Sequence, residues 1–221
     1  MRIAPSADWH KYLLLNLSVV VFGTTANAAD ASHGEYLTNA GGCVACHTVE
    51  NGQPMAGGRS LESPFGTFYT PNITPDNETG IGGWTDDEFV SAFQEGLSPE
   101  GEHYYPAFPY PSYSGMSRSD LLDIKAYLNS LQPVTAANRE HDLVWYASSR
   151  MPLVLWKWLY FDDSRFATDS SQTEQWNRGA YLVRHLGHCG ECHTPRSALG
   201  GTEASLELAG APGFGEAKAA P

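Results

Sequence analysis

The chain has 221 residues, with 13 Lys and Arg against 25 Asp and Glu, so its formal net charge is −12. Because cationic side chains supply most of the affinity for phosphate backbones, this balance argues against nucleic acid as a partner. Hydrophobic residues make up 42% of the sequence, which is enough for a folded protein and excludes a disordered acidic tail.

The first 28 residues have the pattern of an export signal. Arg2 and Lys11 flank the start of an apolar stretch at residues 12–23, and the small-x-small sequence Ala-Asn-Ala ends at Ala28. A membrane anchor is the alternative, but a spanning helix needs about 20 apolar residues and this stretch is shorter. We expect cleavage after Ala28 and a periplasmic location.

The next chemical signal is the sequence Cys43-Val44-Ala45-Cys46-His47. C-x-x-C-H is the attachment pattern for c-type haem. On a tight turn entering a helix, two thiols three positions apart reach the two vinyl groups on one haem edge, and the adjacent histidine lies under the iron. We therefore expect Cys43 and Cys46 to hold a haem and His47 to bind its iron.

Several patterns after this motif predict loops and short helices. A Gly- and Pro-rich stretch at residues 51–72 predicts an extended loop along a cofactor edge. Capping-box patterns at residues 85–88 and 117–120 predict two helices, and the Pro-rich aromatic stretch at residues 104–116 cannot be a regular helix. We expect the second helix to pack across an approach helix at residues 33–42, through an apolar stripe made of Leu121, Ile124, Leu128 and Leu131.

Met116 ends the aromatic stretch, 69 residues after His47. A thioether on the haem face opposite the histidine gives the His/Met pair that raises reduction potential. Methionine is also common core filler, which is the alternative. We expect Met116 to be the sixth ligand of the first haem.

Polar side chains in the loops after the motif are candidates for haem contacts. Arg59 and Trp84 carry N–H donors that suit propionate oxygens, and Tyr69 and Asn72 lie in the same loops. Ordinary loop hydrogen bonding is the alternative for each. Since ligating histidines usually have a hydrogen-bond partner on the other ring nitrogen, we expect a carbonyl near Pro54 to accept from His47.

Residues 136–171 have the composition of a linker around a strongly apolar and aromatic segment at residues 151–161. Eleven residues cannot span a bilayer. The segment could lie in the membrane interface, giving peripheral membrane association, or it could meet a partner protein. We expect it instead to pack between the two halves of the chain.

A second attachment pattern, Cys189-Gly190-Glu191-Cys192-His193, uses the remaining two cysteines. A zinc ribbon would need pairs about 15 to 20 residues apart, and a thioredoxin-like dithiol would need a βαβ context. Disulfides suit an exported protein but do not require a histidine after each pair. We expect a second haem on Cys189 and Cys192, with His193 on its iron.

An internal repeat accompanies the two motifs. The pattern Gly-x-Tyr-Leu begins at Gly34 before the first motif and at Gly179 before the second, which indicates a duplicated haem-binding unit. After His193, 28 residues remain. The second unit is therefore predicted to be unfinished, and we expect a fragment with a methionine near position 262. The alternative is a sixth ligand for the second haem from elsewhere, with three candidates: His141, His188 and Met151.

These motifs together resemble the two- and three-haem cytochrome c subunits of membrane-associated bacterial dehydrogenases for alcohols, gluconate and aldehydes. The resemblance covers almost all of the chain after residue 28. Its carriers are GGCVACH at 41–47, TPNITPD at 70–76, GGWT at 82–85, FPYPSY at 108–113, RGAYL at 178–182 and HTPR at 193–196. It implies that Met116 binds iron and that electrons pass from a catalytic partner to quinone or another acceptor. Family members usually carry three haems, whereas this chain has attachment sites for two, which leaves the partner open.

We therefore expect an all-α protein with tandem cytochrome c-like domains and long loops, at residues 29–135 and 172–221, the second incomplete. The resemblance implies an exported diheme c-type cytochrome that carries single electrons from a dehydrogenase partner toward the respiratory chain and is not itself an enzyme. The alternative is a peroxidase-like haem enzyme that uses an open coordination position at the second haem.

Overall fold

The computed structural model describes residues 28–211, so the predicted export signal lies outside the described residues except for Ala28. We call residues 29–135 the first unit and residues 172–211 the second unit. The helices are α1 Ala31–Ala40, α2 Cys43–His47, α3 Asp86–Glu95, α4 Tyr110–Tyr113, α5 Arg118–Ser130, α6 Met151–Tyr160, α7 Glu174–Tyr181 and α8 Gly190–His193. A π-helical turn, Leu182–Leu186, continues α7, and a short 3₁₀ turn covers Ala204–Leu206.

The described residues also contain a small antiparallel sheet, which the all-α prediction does not include. Strands β1 (Ser60–Ser63) and β2 (Gly66–Tyr69) form a hairpin, and β3 (Asp142–Leu143) pairs with the other edge of β2. The structure thus places a hairpin where the sequence predicts an extended loop. Gly66 makes the third strand possible, because a Cβ there would lie 2.4 Å from the carbonyl oxygen of Asp142.

The core of the first unit forms where α1 crosses α5, as the apolar stripe predicts. Gly34 brings the two backbones into contact, since a Cβ on it would lie 1.9 Å from the carbonyl oxygen of Asp123. His33 Nδ1 lies 2.8 Å from Asp123 Oδ2 and joins the same helices. Leu37 and Leu121 are fully buried between them.

The two predicted capping boxes form differently. At α3, Thr85 Oγ1 accepts from the Glu88 N–H at 3.2 Å, and Glu88 Oε2 accepts from the Thr85 N–H at 2.7 Å. At α5, Ser117 Oγ accepts from the Asp120 N–H at 3.1 Å, but the Asp120 carboxylate accepts from the Tyr181 hydroxyl at 2.6 Å. The second box is therefore half formed, because the second unit uses its carboxylate.

Helix α6 has one face that contacts both units. Its Lys157 Nζ donates to the carbonyl of Glu95 in the first unit, and its Trp156 Nε1 donates to the carbonyl of Leu199 in the second at 2.9 Å. This face agrees with the expectation that the segment packs between the two halves.

The opposite face of α6 is exposed and apolar. Its side chains recur at helical spacing and are 50–83% exposed: Met151, Val154, Leu155, Trp158 and Leu159. We call these five residues the apolar stripe of α6. Among residues 28–211, no helix has the length and apolar character needed to cross a membrane.

Candidate haem attachment sites

The first attachment turn is a single turn of helix entered through a left-handed residue. Gly42 has φ 68° and precedes α2, which carries Cys43, Cys46 and His47. Cys43 is half-buried and Cys46 is exposed, and neither thiol is in a disulfide. The two sulfurs are therefore free on one turn of helix, which is the arrangement that thioether attachment needs.

His47 is oriented by a hydrogen bond to the backbone. Its Nδ1 lies 2.8 Å from the carbonyl oxygen of Pro71, and because a carbonyl only accepts, Nδ1 carries the proton. Nε2 then has a lone pair for a metal. Burial lowers the pKa of His47, which favours the neutral, ligating form of the ring. The prediction of an accepting carbonyl near Pro54 is wrong, because the carbonyl that accepts from the His47 ring is that of Pro71. The chain just after Pro54 contacts the backbone of His47 instead, where the Gly57 N–H donates to the His47 carbonyl at 2.8 Å.

Met116 lies between α4 and α5 and is fully buried in a hydrophobic core that also includes Tyr181 and Leu186 of the second unit. Its carbonyl accepts from Gln94 Nε2 at 2.8 Å, so the backbone at this position is fixed from α3. The first unit thus offers two free thiols, an imidazole with an unprotonated Nε2, and a buried thioether. This donor set fits a covalently attached haem.

The loop residues singled out for haem contacts separate into two groups. Burial raises the pKa of the Cys46 thiol, and the Arg59 guanidinium acts in the opposite direction, so Arg59 lies near the first turn. Trp84 is half-buried against the core. Asn72 is used within the protein, where its Nδ2 donates to the carbonyl of Val134 at 2.7 Å and to Thr79 Oγ1 at 3.0 Å.

Tyr69 is also engaged in a contact with another side chain. The Arg139 guanidinium lies 3.7 Å from the centre of the Tyr69 ring, within the range of a cation–π contact. For Tyr69 and Asn72 the structure therefore supports the loop role, whereas the haem contacts of Arg59 and Trp84 stay predictions.

The second attachment turn repeats the backbone of the first. His188, with φ 40°, takes the left-handed position of Gly42, and it precedes Cys189 and α8. Cys189 is half-buried and Cys192 exposed, again with free thiols. The carbonyl of His193 accepts from the Gly210 N–H at 2.8 Å, the counterpart of the bond between His47 and Gly57.

The match continues past the turn with an insertion. Thr194 Oγ1 accepts from the Leu208 N–H at 3.0 Å, as Thr48 Oγ1 accepts from the Met55 N–H at 3.1 Å. Leu208 and Met55 both have positive φ, 59° and 61°. A turn that pairs Arg196 with Thr202 occupies the extra length in the second unit. The prediction of a methionine near position 262 assumes that the two units have equal spacing after the histidine. The insertion shows that the spacing differs.

The three candidates for a sixth ligand of the second haem have different surroundings. His141 Nδ1 accepts from the Tyr69 N–H at 3.2 Å and lies beside the sheet of the first unit. The His188 ring lies edge-on to Tyr113, with centroids 5.5 Å apart. Met151 is 83% exposed at the start of α6. None of these contacts distinguishes a ligand, so all three residues stay predictions.

The two attachment turns lie close to each other. Burial has the largest effect on the pKa of Cys46, and the nearby Cys192 side chain raises that pKa further. His188 Nε2 lies 3.3 Å from the carbonyl oxygen of Gly41, next to the first turn. Two groups held at these turns would therefore be neighbours.

Sequence reasoning missed two residues of the second unit that contact the loop of Met116. His185 Nδ1 lies 2.8 Å from the carbonyl oxygen of Ser112, and Glu191 Oε1 accepts from Ser112 Oγ at 2.7 Å. Glu191 occupies one of the two unspecified positions of the second C-x-x-C-H motif. A charged residue at that position was the one sequence feature that could have pointed to it. Nothing in the sequence indicates its partner.

Comparison with known proteins identifies a family model and several relatives that match the chain. The family model described as cytochrome c matches residues 31–132. The gluconate 2-dehydrogenase cytochrome c subunit of Pantoea cypripedii is 46% identical over 174 residues, which are 78% of this chain and 40% of that protein. A diheme cytochrome c-type protein of Cereibacter sphaeroides is 45% identical over 188 residues, covering 83% of this chain and 63% of that protein.

A shorter relative is covered almost completely. Cytochrome c-552 of Bradyrhizobium diazoefficiens is 33% identical over 121 residues, which are 55% of this chain and 93% of that protein. The chain spans less than two thirds of the length of the two longer relatives. Taken with the attachment turn and its ligand set, these matches show that the chain belongs to the cytochrome c family, whose members carry covalently bound haem c in electron transport.

Proposed function

We propose that this protein is a diheme c-type cytochrome that passes single electrons from a dehydrogenase toward the respiratory chain. The observation that carries the proposal is His47, whose Nδ1 is tied to Pro71 while its Nε2 stays available beside two free thiols. When bound, haem would supply one-electron chemistry through its iron. The repeated backbone at His193 supports a second attachment site.

The side chains of the protein would hold and tune these groups. Cys43 and Cys46 would form the thioethers of the first site, and His47 and Met116 would supply ligands to the iron. A His/Met pair raises reduction potential. At the second site, the two thioethers and the proximal bond would come from Cys189, Cys192 and His193. The propionates of the first haem would accept from Arg59 and Trp84.

We further propose that the apolar stripe of α6 meets a dehydrogenase subunit. The Pantoea relative is named as a dehydrogenase subunit, and a stripe with Met and Trp has the composition of an interface core. Exposed Asp162 and Asp163 follow the stripe, while Lys157 turns inward. A partner with a basic rim suits this arrangement better than an anionic membrane, which the net charge of −12 would oppose.

Purification of the wild type and of a Leu155→Ser, Trp158→Ser variant from the same cells tests this surface. Dehydrogenase activity should co-elute with haem absorbance only in the wild type. Trp176→Ser is the matched control, since Trp176 is 44% exposed outside the stripe. If only binding to lipid vesicles falls, the stripe is a membrane contact and the partner surface lies elsewhere.

We also propose that the protein is exported to the periplasm, on the pattern of residues 1–28. N-terminal sequencing of the purified haem protein tests this, and the expected first residue is Ala29, followed by Asp30. Retention of Met1 would contradict cleavage.

Electron transfer without substrate turnover is tested on the purified protein. The denatured chain should retain two haems by mass, and the folded protein should accept electrons from a small reductant and pass them to an oxidant. It should oxidise no alcohol, sugar or aldehyde. Peroxide turnover that is lost in His193→Ala would instead favour the peroxidase-like alternative with an open position at the second haem.

A further inference from the structure

We infer that the second unit forms part of the methionine side of the first haem site and that His185 is a positioning residue for Met116. This inference rests on the proposed ligation of iron by Met116. It extends that proposal by giving a role to residues that flank the second attachment turn. We call residues 112–117, which are the end of α4 and the turn into α5, the methionine loop.

His185 holds the start of the methionine loop. Its Nδ1 lies 2.8 Å from the carbonyl oxygen of Ser112, so the ring donates to the loop. The same ring lies against Gly115, where a Cβ would come within 2.0 Å of His185 Cε1. Only a glycine lets the ring approach this closely, next to the residue that carries the thioether.

Glu191 and Tyr181 hold the loop at its two ends. Ser112 Oγ donates to Glu191 Oε1 at 2.7 Å, and Arg196 pairs with the other carboxylate oxygen. The Ser117 N–H donates to the Tyr181 hydroxyl at 3.2 Å. Glu191 lies within the second attachment motif, so the two attachment sites are joined through this loop.

The segment before the second unit completes the contact. Arg165 Nη1 donates to the carbonyl of Ser114 at 2.9 Å, and the Phe166 N–H donates to the carbonyl of Gly115 at 3.1 Å. The Phe166 ring lies 5.6 Å from the His185 ring, centre to centre. From within the first unit, Gln94 holds the carbonyl of Met116 itself.

A methionine loop held in this way keeps Met116 in its buried position. A bond from Met116 to iron would compete with opening of the methionine loop, and each hydrogen bond that closes the loop would shift that equilibrium. One such bond is worth roughly a fivefold change in an equilibrium constant. Loss of the His185 bond should therefore raise the open fraction of the first haem without removing Met116.

Full-length holoprotein with His185→Phe tests the inference, because phenylalanine keeps a ring and removes the donor. Reduced protein should bind carbon monoxide at the first haem roughly fivefold faster than the wild type, on the basis of one lost hydrogen bond. The sulfur-to-iron absorption band should weaken and the potential of that haem should fall. His185→Asn, which keeps a donor near the Nδ1 position, should restore both, and His103→Phe is the matched control away from the loop.

Met116→Ala identifies the kinetic phase that belongs to the first haem and separates two kinds of failure. If Met116→Ala changes neither the band nor carbon monoxide binding, the proposed ligation is wrong. If it does, while His185→Phe matches the wild type, the positioning role is overturned and the ligation stands. Should His185→Phe fail to incorporate haem, Ser112→Ala removes the bond to Glu191 instead. Wild-type binding rates in that variant would overturn the role of the second unit in closing the methionine loop.

Discussion

The two attachment turns have the same backbone but different surroundings. At the first, α5 packs against α1, and Gly34 lies against Asp123. At the second, a Cβ on Gly179 of α7 would meet no atom within 4 Å among the described residues. The difference shows that a short segment specifies the attachment turn, whereas distant elements specify how the turn is enclosed.

The tyrosine of the repeated Gly-x-Tyr-Leu pattern also has different surroundings in the two units. Tyr36 of α1 is 49% exposed, whereas Tyr181 of α7 is buried and donates to Asp120 at 2.6 Å. The first unit therefore uses its glycine to bring helices together, and the second unit uses its tyrosine to contact the first. Duplicated positions have acquired separate structural roles.

Removing the thiols of one site at a time gives the largest expected difference. Cys43→Ala with Cys46→Ala, and Cys189→Ala with Cys192→Ala, should each leave one covalent haem by mass of the denatured chain. The first pair should lower the melting temperature more, because Cys43 packs against the hydrophobic core. Equal melting temperatures would remove the contrast between the units.

Alanine at the two repeated glycines tests the packing difference directly. Gly34→Ala forces a methyl group into the backbone of α5 and should destabilise the protein by about 1–3 kcal/mol or more. Gly179→Ala lies in a helix with open space, so it should be neutral or stabilising by up to about 1 kcal/mol. Denaturant unfolding of both variants measures this, and equal losses would show that the two helices are enclosed alike.

Phenylalanine at the two repeated tyrosines gives a smaller contrast. Tyr181→Phe removes a hydrogen bond to a carboxylate and should cost about 1.5–3 kcal/mol. Tyr36→Phe at the exposed position should stay within about 0.5 kcal/mol of the wild type. Thermal unfolding of the haem-loaded proteins compares them, and a larger loss at Tyr36 would contradict the assigned roles.

The smallest effect concerns acid sensitivity at the sheet of the first unit. Burial, followed by the positive charge of Arg150, lowers the pKa of His141 below its ordinary value of 6.5. The unfolded chain therefore takes up a proton at a pH where the folded ring stays neutral. This contribution to stability is present above about pH 6.5 and is lost as the pH falls below it. His141→Gln should show a smaller drop in melting temperature between neutral and mildly acidic buffer than the wild type does.

Local patterns in the sequence predict much of the site. The spacing of Cys43, Cys46 and His47 predicts the attachment turn, and the capping box at Thr85 predicts α3, because both depend on neighbouring residues. The strands β1–β3 could not be predicted, because strands of two to four residues are too short to show a clear alternation of apolar and polar residues. The bond between His47 and Pro71 depends on how the loop folds back, which spacing does not specify.

The contacts between the units were the least predictable part. In the sequence, His185 is one histidine among several, and Glu191 is an arbitrary residue inside a motif. Their role depends on Ser112, which is more than seventy positions away and in the other unit. Only the folded chain brings these residues together.

The two proposed haem sites are expected to differ, with methionine ligation at the first. A redox titration of the full-length holoprotein, repeated with Met116→Ala, tests this difference most directly. We predict two separate one-electron steps, of which the higher falls in Met116→Ala while the other stays in place. A wild-type titration curve that is unchanged by Met116→Ala would contradict the account.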